Sequence, residues 1–173
     1  GMSMCRTACF FSRLDSIREK KQAVLHMDIP TDWELYGDPF YWTQILFNLV
    51  ENALKQNTEP GLSITVAAAK TQDACVITVT DTGVGIPAES IPFLFNRFYR
   101  VETHHSSEIR GTGLGLSIVK RAVEAHDGAI TVSSIPHRET VFTITIPLKR
   151  FREEKRIRQL SQVSIETSAN KST

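Results

Sequence analysis

The sequence has no apolar run near the roughly 18 residues that a membrane helix needs, and no segment built like a signal peptide. It also lacks an excess of positive charge. Twenty Lys+Arg against nineteen Asp+Glu leave +1, which argues against a dedicated nucleic-acid binder. Its three cysteines are an odd number without framework spacing, so no disulfide scaffold is expected. Cys5 and Cys9, four apart, are too few ligands for a metal site, and Cys75 sits in an alternating apolar run as a strand residue. These absences point to a reducing, cytoplasmic setting. No internal repeat is present.

What is there suits one domain. The chain has 173 residues and is 41% hydrophobic, enough for a single core. Phe10, Phe11, Leu14 and Ile17 have helical spacing, so residues 1–20 read as a linker or the end of a helix from a preceding module. Residues 23–29 read as a strand closed by Pro30. Asp38-Pro39 announces a helix running to about Gln56, with Ile45, Leu46, Leu49, Val50 and Ala53 on its apolar side. Alternation predicts strands over 62–69 and 74–80. A helix is predicted over 114–125, with Leu116, Ile118, Val119, Ala122 and Val123 as its buried stripe. Residues 129–134 and 140–146 form a closing hairpin, and 150–173 form a polar tail expected to be disordered.

Four segments carry chemistry. Asn48, Asn52 and Lys55 share one face of the first helix, where amide oxygens suit Mg²⁺ and a lysine suits phosphate. Asp81-Thr82-Gly83-Val84-Gly85-Ile86 places a carboxylate at the end of a strand, where it needs a fixed partner such as a purine amine. Gly111-Thr112-Gly113-Leu114-Gly115-Leu116 opens a helix, where backbone N–H groups can cradle phosphates. Phe95-Asn96-Arg97-Phe98-Tyr99-Arg100 interleaves aromatics with arginines ahead of a polar stretch, 102–110, with the composition of a mobile loop. Each alone also fits an ordinary role: a solvated helix face, an Asp-to-Gly turn, a generic glycine turn, or core aromatics.

Together, in unbroken order over about residues 20–149, the four resemble the N, G1, G2 and F boxes of sensor histidine kinases. The N box is Ile45 to Lys55, the G1 box begins at Asp81, the F box begins at Phe95, and the G2 box runs from Gly111 to Leu116. The resemblance implies a two-layer α/β (α+β) sandwich of the Bergerat ATP-binding type, a mixed, mostly antiparallel sheet with helices on one face. It implies ATP and Mg²⁺ as ligands, with Asn52 on the metal and Asn48 supporting metal and phosphates. Lys55 and Arg100 would approach the phosphates, and Asp81 would accept from adenine. Gly83, Gly85 and Ile86 would line the base pocket, while Gly111, Thr112, Gly113, Leu114, Gly115 and Leu116 would hinge and form a phosphate lid.

Hydrolysing relatives of this fold carry glutamate where this chain has Asn48, and an amide cannot take a proton from water. The resemblance therefore implies phosphotransfer rather than hydrolysis. None of the five histidines, His26, His104, His105, His126 and His137, sits in the family's acceptor pattern. The expectation is a catalytic domain over 21–149 acting on a histidine of a separate dimerisation domain, with a response regulator downstream. The full-length protein is expected to be a homodimer, membrane-anchored in the family manner with this domain in the cytoplasm, and the fragment a monomer. The alternatives are an anti-sigma-type serine kinase and a non-enzymatic nucleotide-sensing module.

Overall fold

The three central strands of this chain bury every second residue, and that period of two sets the core. In a computed structural model, residues 2–3, 19, 22–30, 34–35, 38–57, 60–101 and 111–148 are described. The expected helix remnant over 10–21 (Glu19 apart), the segment 102–110 with His104 and His105, and the tail over 150–173 lie outside them.

The elements run β1 (Met2–Ser3), β2 (Val24–Asp28), β3 (Glu34–Leu35), α1 (Pro39–Gln56), β4 (Ser63–Lys70), β5 (Ala74–Asp81), a 3₁₀ turn (Ile91–Phe93), α2 (Gly115–Glu124), β6 (Ala129–Ile135) and β7 (Glu139–Pro147). The main sheet has the order β2-β4-β5-β7-β6. Only β2 and β4 run parallel, and the other three pairings are antiparallel. The short β1 and β3 pair with each other, Met2 opposite Leu35. Their brevity left no periodic signal in the sequence.

Ile64, Val66 and Ala68 of β4, Cys75, Ile77 and Val79 of β5, and Phe142, Ile144 and Ile146 of β7 are buried on one face. Both helices pack there, forming one hydrophobic cluster with them. This is the expected two-layer sandwich. The helix α1 starts as its sequence dictates: Asp38 Oδ1 accepts from the Phe40 N–H at 2.8 Å, and Pro39 takes the first helical position. Trp42 and Leu54 join the five predicted apolar residues in its buried stripe.

The stripe of α2 is rotated from the prediction. Val119, Ala122 and Val123 are buried, but Ile118 is 43% exposed and Ser117 is buried in its place. Ser117 meets the cost of burial by donating its hydroxyl to Leu114 O at 2.8 Å. The helix ends in a Schellman motif, with Gly128 N–H to Val123 O at 3.0 Å and Asp127 N–H to Glu124 O at 2.9 Å. Asp127 takes the left-handed conformation, φ 53°. His126, in the last turn, is buried rather than solvated. Its Nδ1 lies 2.7 Å from Ala122 O and its ring lies 5.0 Å from that of Trp42.

Candidate nucleotide site

The strand β5 delivers Asp81 to the helix side of the sheet, because residues 75, 77, 79 and 81 alternate inward. Asp81 is only 6% exposed, between Ile64 of β4 and Thr140 of β7 in register. Burial pushes its pKa above the ordinary carboxylate value, offset in part by hydrogen bonds from the Gly83 N–H and the Asn57 side chain. Those bonds both end on Oδ1, at 3.0 Å and 3.5 Å.

Asn57, the C-cap of α1, is a residue that motif reasoning missed. It is 4% exposed. Its Nδ2 donates to Ala53 O at 2.7 Å, and its Oδ1 accepts from the Val84 N–H at 2.6 Å. Gly83 is a glycine because of this: a Cβ there would coincide with the Asn57 amide. The sequence offered a clue only in the type of residue, an amide at a helix C-terminus beside Pro60-Gly61.

The other side of the loop docks on the β6–β7 hairpin. Val84 O accepts from the His137 N–H at 2.8 Å, and Ile86 N–H donates to Ser134 Oγ at 2.9 Å. Gly85 has φ 68°, and a Cβ on it would lie 2.7 Å from Pro136 Cα. The loop of residues 82–86 is thus clamped between α1 and the hairpin.

Halfway along α1, Asn48 donates its Nδ2 to Gln44 O at 2.7 Å. Its Oδ1 faces Gly115 at the start of α2, where a Cβ would lie 3.0 Å away. The first N–H groups of α2 have no partner within the helix. Asn52, one turn on, is half-buried. Lys55 pairs with Glu51 Oε1 at 3.0 Å on the helix surface.

The aromatic segment divides in two. Leu94 is buried, and Phe95 packs on Phe142 with ring centroids 6.5 Å apart. Phe93 and Phe98 are exposed, and so are Arg97 and Arg100. Phe98 N–H donates to Gly113 O at 2.9 Å, bringing this segment to the second glycine turn. Gly111 and Thr112 are exposed beside it, and Leu114 and Leu116 are half-buried.

Helix α1 therefore borders both ends of the site. Asn48 and Asn57 lie nine residues apart, about 14 Å of helix. The carboxylate and its glycine loop stand at one end, and the start of α2 stands at the other. That separation suits a nucleoside triphosphate, with its base at Asp81 and its phosphates near Asn48. Among the described residues, no cluster of three or more His, Cys, Asp or Glu could hold a metal ion. Asn48 Oδ1 is a neutral, hard oxygen of the kind Mg²⁺ accepts when phosphates supply the charge.

Residues 37–150 match the family described as histidine kinase-, DNA gyrase B- and HSP90-like ATPases. The sensor histidine kinase WalK of Bacillus subtilis is 39% identical over 113 residues, covering 65% of this chain and 18% of WalK. The adaptive-response sensory kinase SasA of Synechococcus elongatus is 38% identical over 143 residues, 80% of this chain and 36% of SasA. Among solved structures, a mycobacterial sensor histidine kinase, MprB, superposes with a TM-score of 0.67 at 26% identity, covering 82% of this chain and 95% of that one. The chain spans well under half the length of WalK and SasA. On sequence and fold together, it belongs to the histidine kinase-, gyrase B- and HSP90-like ATPase family, as an ATP-binding catalytic domain of the histidine kinase type.

Proposed function

We propose that residues 21–149 bind ATP with Mg²⁺ and pass the γ-phosphoryl group to a histidine on a separate dimerisation domain. In this reading residues 1–20 lead in from that domain, and 150–173 form a polar tail. A response regulator receives the phosphoryl group next, and the intact protein works as a homodimer. The domain acts in the cytoplasm, as part of a membrane-anchored sensor. No helix among the described residues is itself long and apolar enough to cross a membrane.

The observation that carries the reading is the placement of Asp81 and Asn48 at opposite ends of one stretch of α1. Asp81, buried and with Oδ1 already engaged, offers its other oxygen to the adenine amine. Gly83, Gly85 and Ile86 flank the base, their backbone held by Asn57 and the hairpin. The turn Gly111 to Leu116 and the N–H groups of α2 face the phosphates, where the helix dipole favours negative charge. Lys55 and Arg100 add positive charge there. Asn52 and Asn48 would hold Mg²⁺ through their amide oxygens. The ion would neutralise phosphate charge as the γ-phosphoryl leaves.

Asn48 offers no general base, so water at the γ-phosphate is not activated by this side chain. That favours transfer to a positioned imidazole nitrogen over hydrolysis. The bond between the γ-phosphorus and the β–γ bridging oxygen breaks, a phosphorus–nitrogen bond forms, and ADP leaves. Calorimetric titration with ATP, with and without Mg²⁺, tests binding. Incubation with radiolabelled ATP and a separately supplied acceptor domain tests transfer. Label should appear on the acceptor and be lost in acid, as phosphohistidine is. Acid-stable label would point to serine, and stable histidine label on this chain alone would contradict a separate acceptor.

A further inference from the structure

Asn57, read so far as an anchor of the glycine loop, also touches the carboxylate beside it. Asn57 lies 24 residues from Asp81 in sequence and is 4% exposed, yet it touches three parts of the nucleotide site. Its Nδ2 closes the last turn of α1 on Ala53 O at 2.7 Å, and the same nitrogen reaches Asp81 Oδ1 at 3.5 Å. Its Oδ1 holds the Val84 N–H at 2.6 Å. Gly83 leaves open the space that the amide fills.

One amide thus fixes both a carboxylate and the loop beside it. Gly83 and Asn57 together occupy Oδ1. Among the described residues nothing donates to Oδ2. With Oδ1 engaged, rotation of the carboxylate about its last bond would cost both hydrogen bonds, so Oδ2 keeps one direction. We propose that Asn57 is a positioning residue for base recognition: it orients Asp81 so that Oδ2 meets the exocyclic amine of adenine, and so sets the preference for an aminopurine nucleotide. This rests on the ATP-binding reading given above and deepens it.

The role separates cleanly from plain helix capping. A cap that only stabilises α1 would, when lost, weaken every nucleotide by the same factor. A positioning residue would, when lost, weaken nucleotides that use the amine more than those that lack it. The probes are ATP and purine ribonucleoside triphosphate, which lacks the 6-amino group, titrated into the 173-residue chain with Mg²⁺. A charge-assisted hydrogen bond is worth about tenfold or more in affinity, so the unaltered chain should prefer ATP by at least about that factor.

In Asn57→Ala the preference should shrink to about threefold or less, with ATP losing more affinity than the amine-free nucleotide. Gly83→Ala, which evicts the Asn57 side chain by sterics, should shrink it in the same way without touching Asn57 chemically. Far-ultraviolet circular dichroism and thermal melting establish that each variant is folded at the titration temperature. Should Asn57→Ala fail that check, Gly83→Ala decides. Equal weakening of both nucleotides, or an unchanged preference in the folded variants, would overturn the role of Asn57 while leaving ATP binding intact. Failure of the unaltered chain to bind ATP would sink the underlying reading as well.

Discussion

Phe98 and Gly113 hold each other by the backbone, both in the left-handed region, with φ 65° and 68°, and with the Phe98 N–H donating to Gly113 O at 2.9 Å. The contact brings together two segments that lie either side of residues 102–110. A Cβ on Gly113 would sit 2.7 Å from the Phe98 carbonyl carbon, and backbone cannot step aside as a side-chain tip can.

Gly113→Ala should therefore destabilise the chain by about 1–3 kcal/mol, from positive φ and the clash together. Gly111→Ala is the control. It has open space and no left-handed φ, and should stay within about 0.5 kcal/mol of the unaltered chain. Urea midpoints measure both, and equal costs at the two glycines would refute the contact.

Asp81→Asn should remove most ATP affinity, by about tenfold or more for one charge-assisted hydrogen bond. The same change should raise the melting temperature at pH 8. Burial raises the Asp81 pKa in the folded chain, so the folded state keeps its proton where the unfolded state has lost it. Wild-type stability then falls as pH rises from the ordinary carboxylate range through the raised value, and the amide escapes that loss. The two melting curves should converge in acid. A variant less stable than wild type at pH 8 contradicts this account of the buried carboxylate.

Lys55 and Glu51 separate stability from binding. Their ion pair is half-buried on the helix surface and joins neighbours one turn apart, so Glu51→Ala should cost about 0.5 kcal/mol or less. Lys55→Ala should be equally mild in stability but weaken ATP several-fold, while leaving adenosine binding, where there is no phosphate, unaltered. Equal losses for ATP and adenosine would remove Lys55 from the phosphate end.

Ser134→Ala tests the hairpin side of the clamp. The Ser134 hydroxyl accepts from Ile86 N–H and donates to Glu139 O at 2.7 Å, so its loss strands two partners. About 1–2 kcal/mol of stability should go with it. ATP should also bind more weakly, because the loop that flanks the base loses one of its two bonds to the hairpin. A stable variant with unchanged affinity would show that the hairpin plays no part in the site.

Much of this was legible before any coordinates. The alternation of Ile64 and Val66 set their strand, and the Asp38-Pro39 start gave α1. Family-like spacing of Asn48, Asp81, Phe95 and Gly111 pointed to the candidate nucleotide site. What escaped was whatever depends on contacts distant in sequence. Asn57 reads as a polar residue after a helix until β5 brings Asp81 against it. Ser134 and His137 look like hairpin filler until the loop of residues 82–86 lands on them. Ile118 was misplaced because its type suggested burial, while the packing of α2 selected Val119 and Ala122 and left the adjoining direction to solvent. His126 shows no sign of burial in the sequence, because its ring contact with Trp42 depends on α1 crossing beside α2.

The double duty of α1, one side in the core and the other along the site, makes nucleotide a folding ligand. Anything that binds the native chain alone stabilises it by mass action, about 2.7 kcal/mol at a hundredfold excess over Kd. Because Asn48 and Asn57 sit on the helix that also carries Trp42, Leu46 and Leu49, that gain is not confined to a surface loop. It resists global unfolding. Depletion of ATP would then expose this chain to proteolysis as well as silence it.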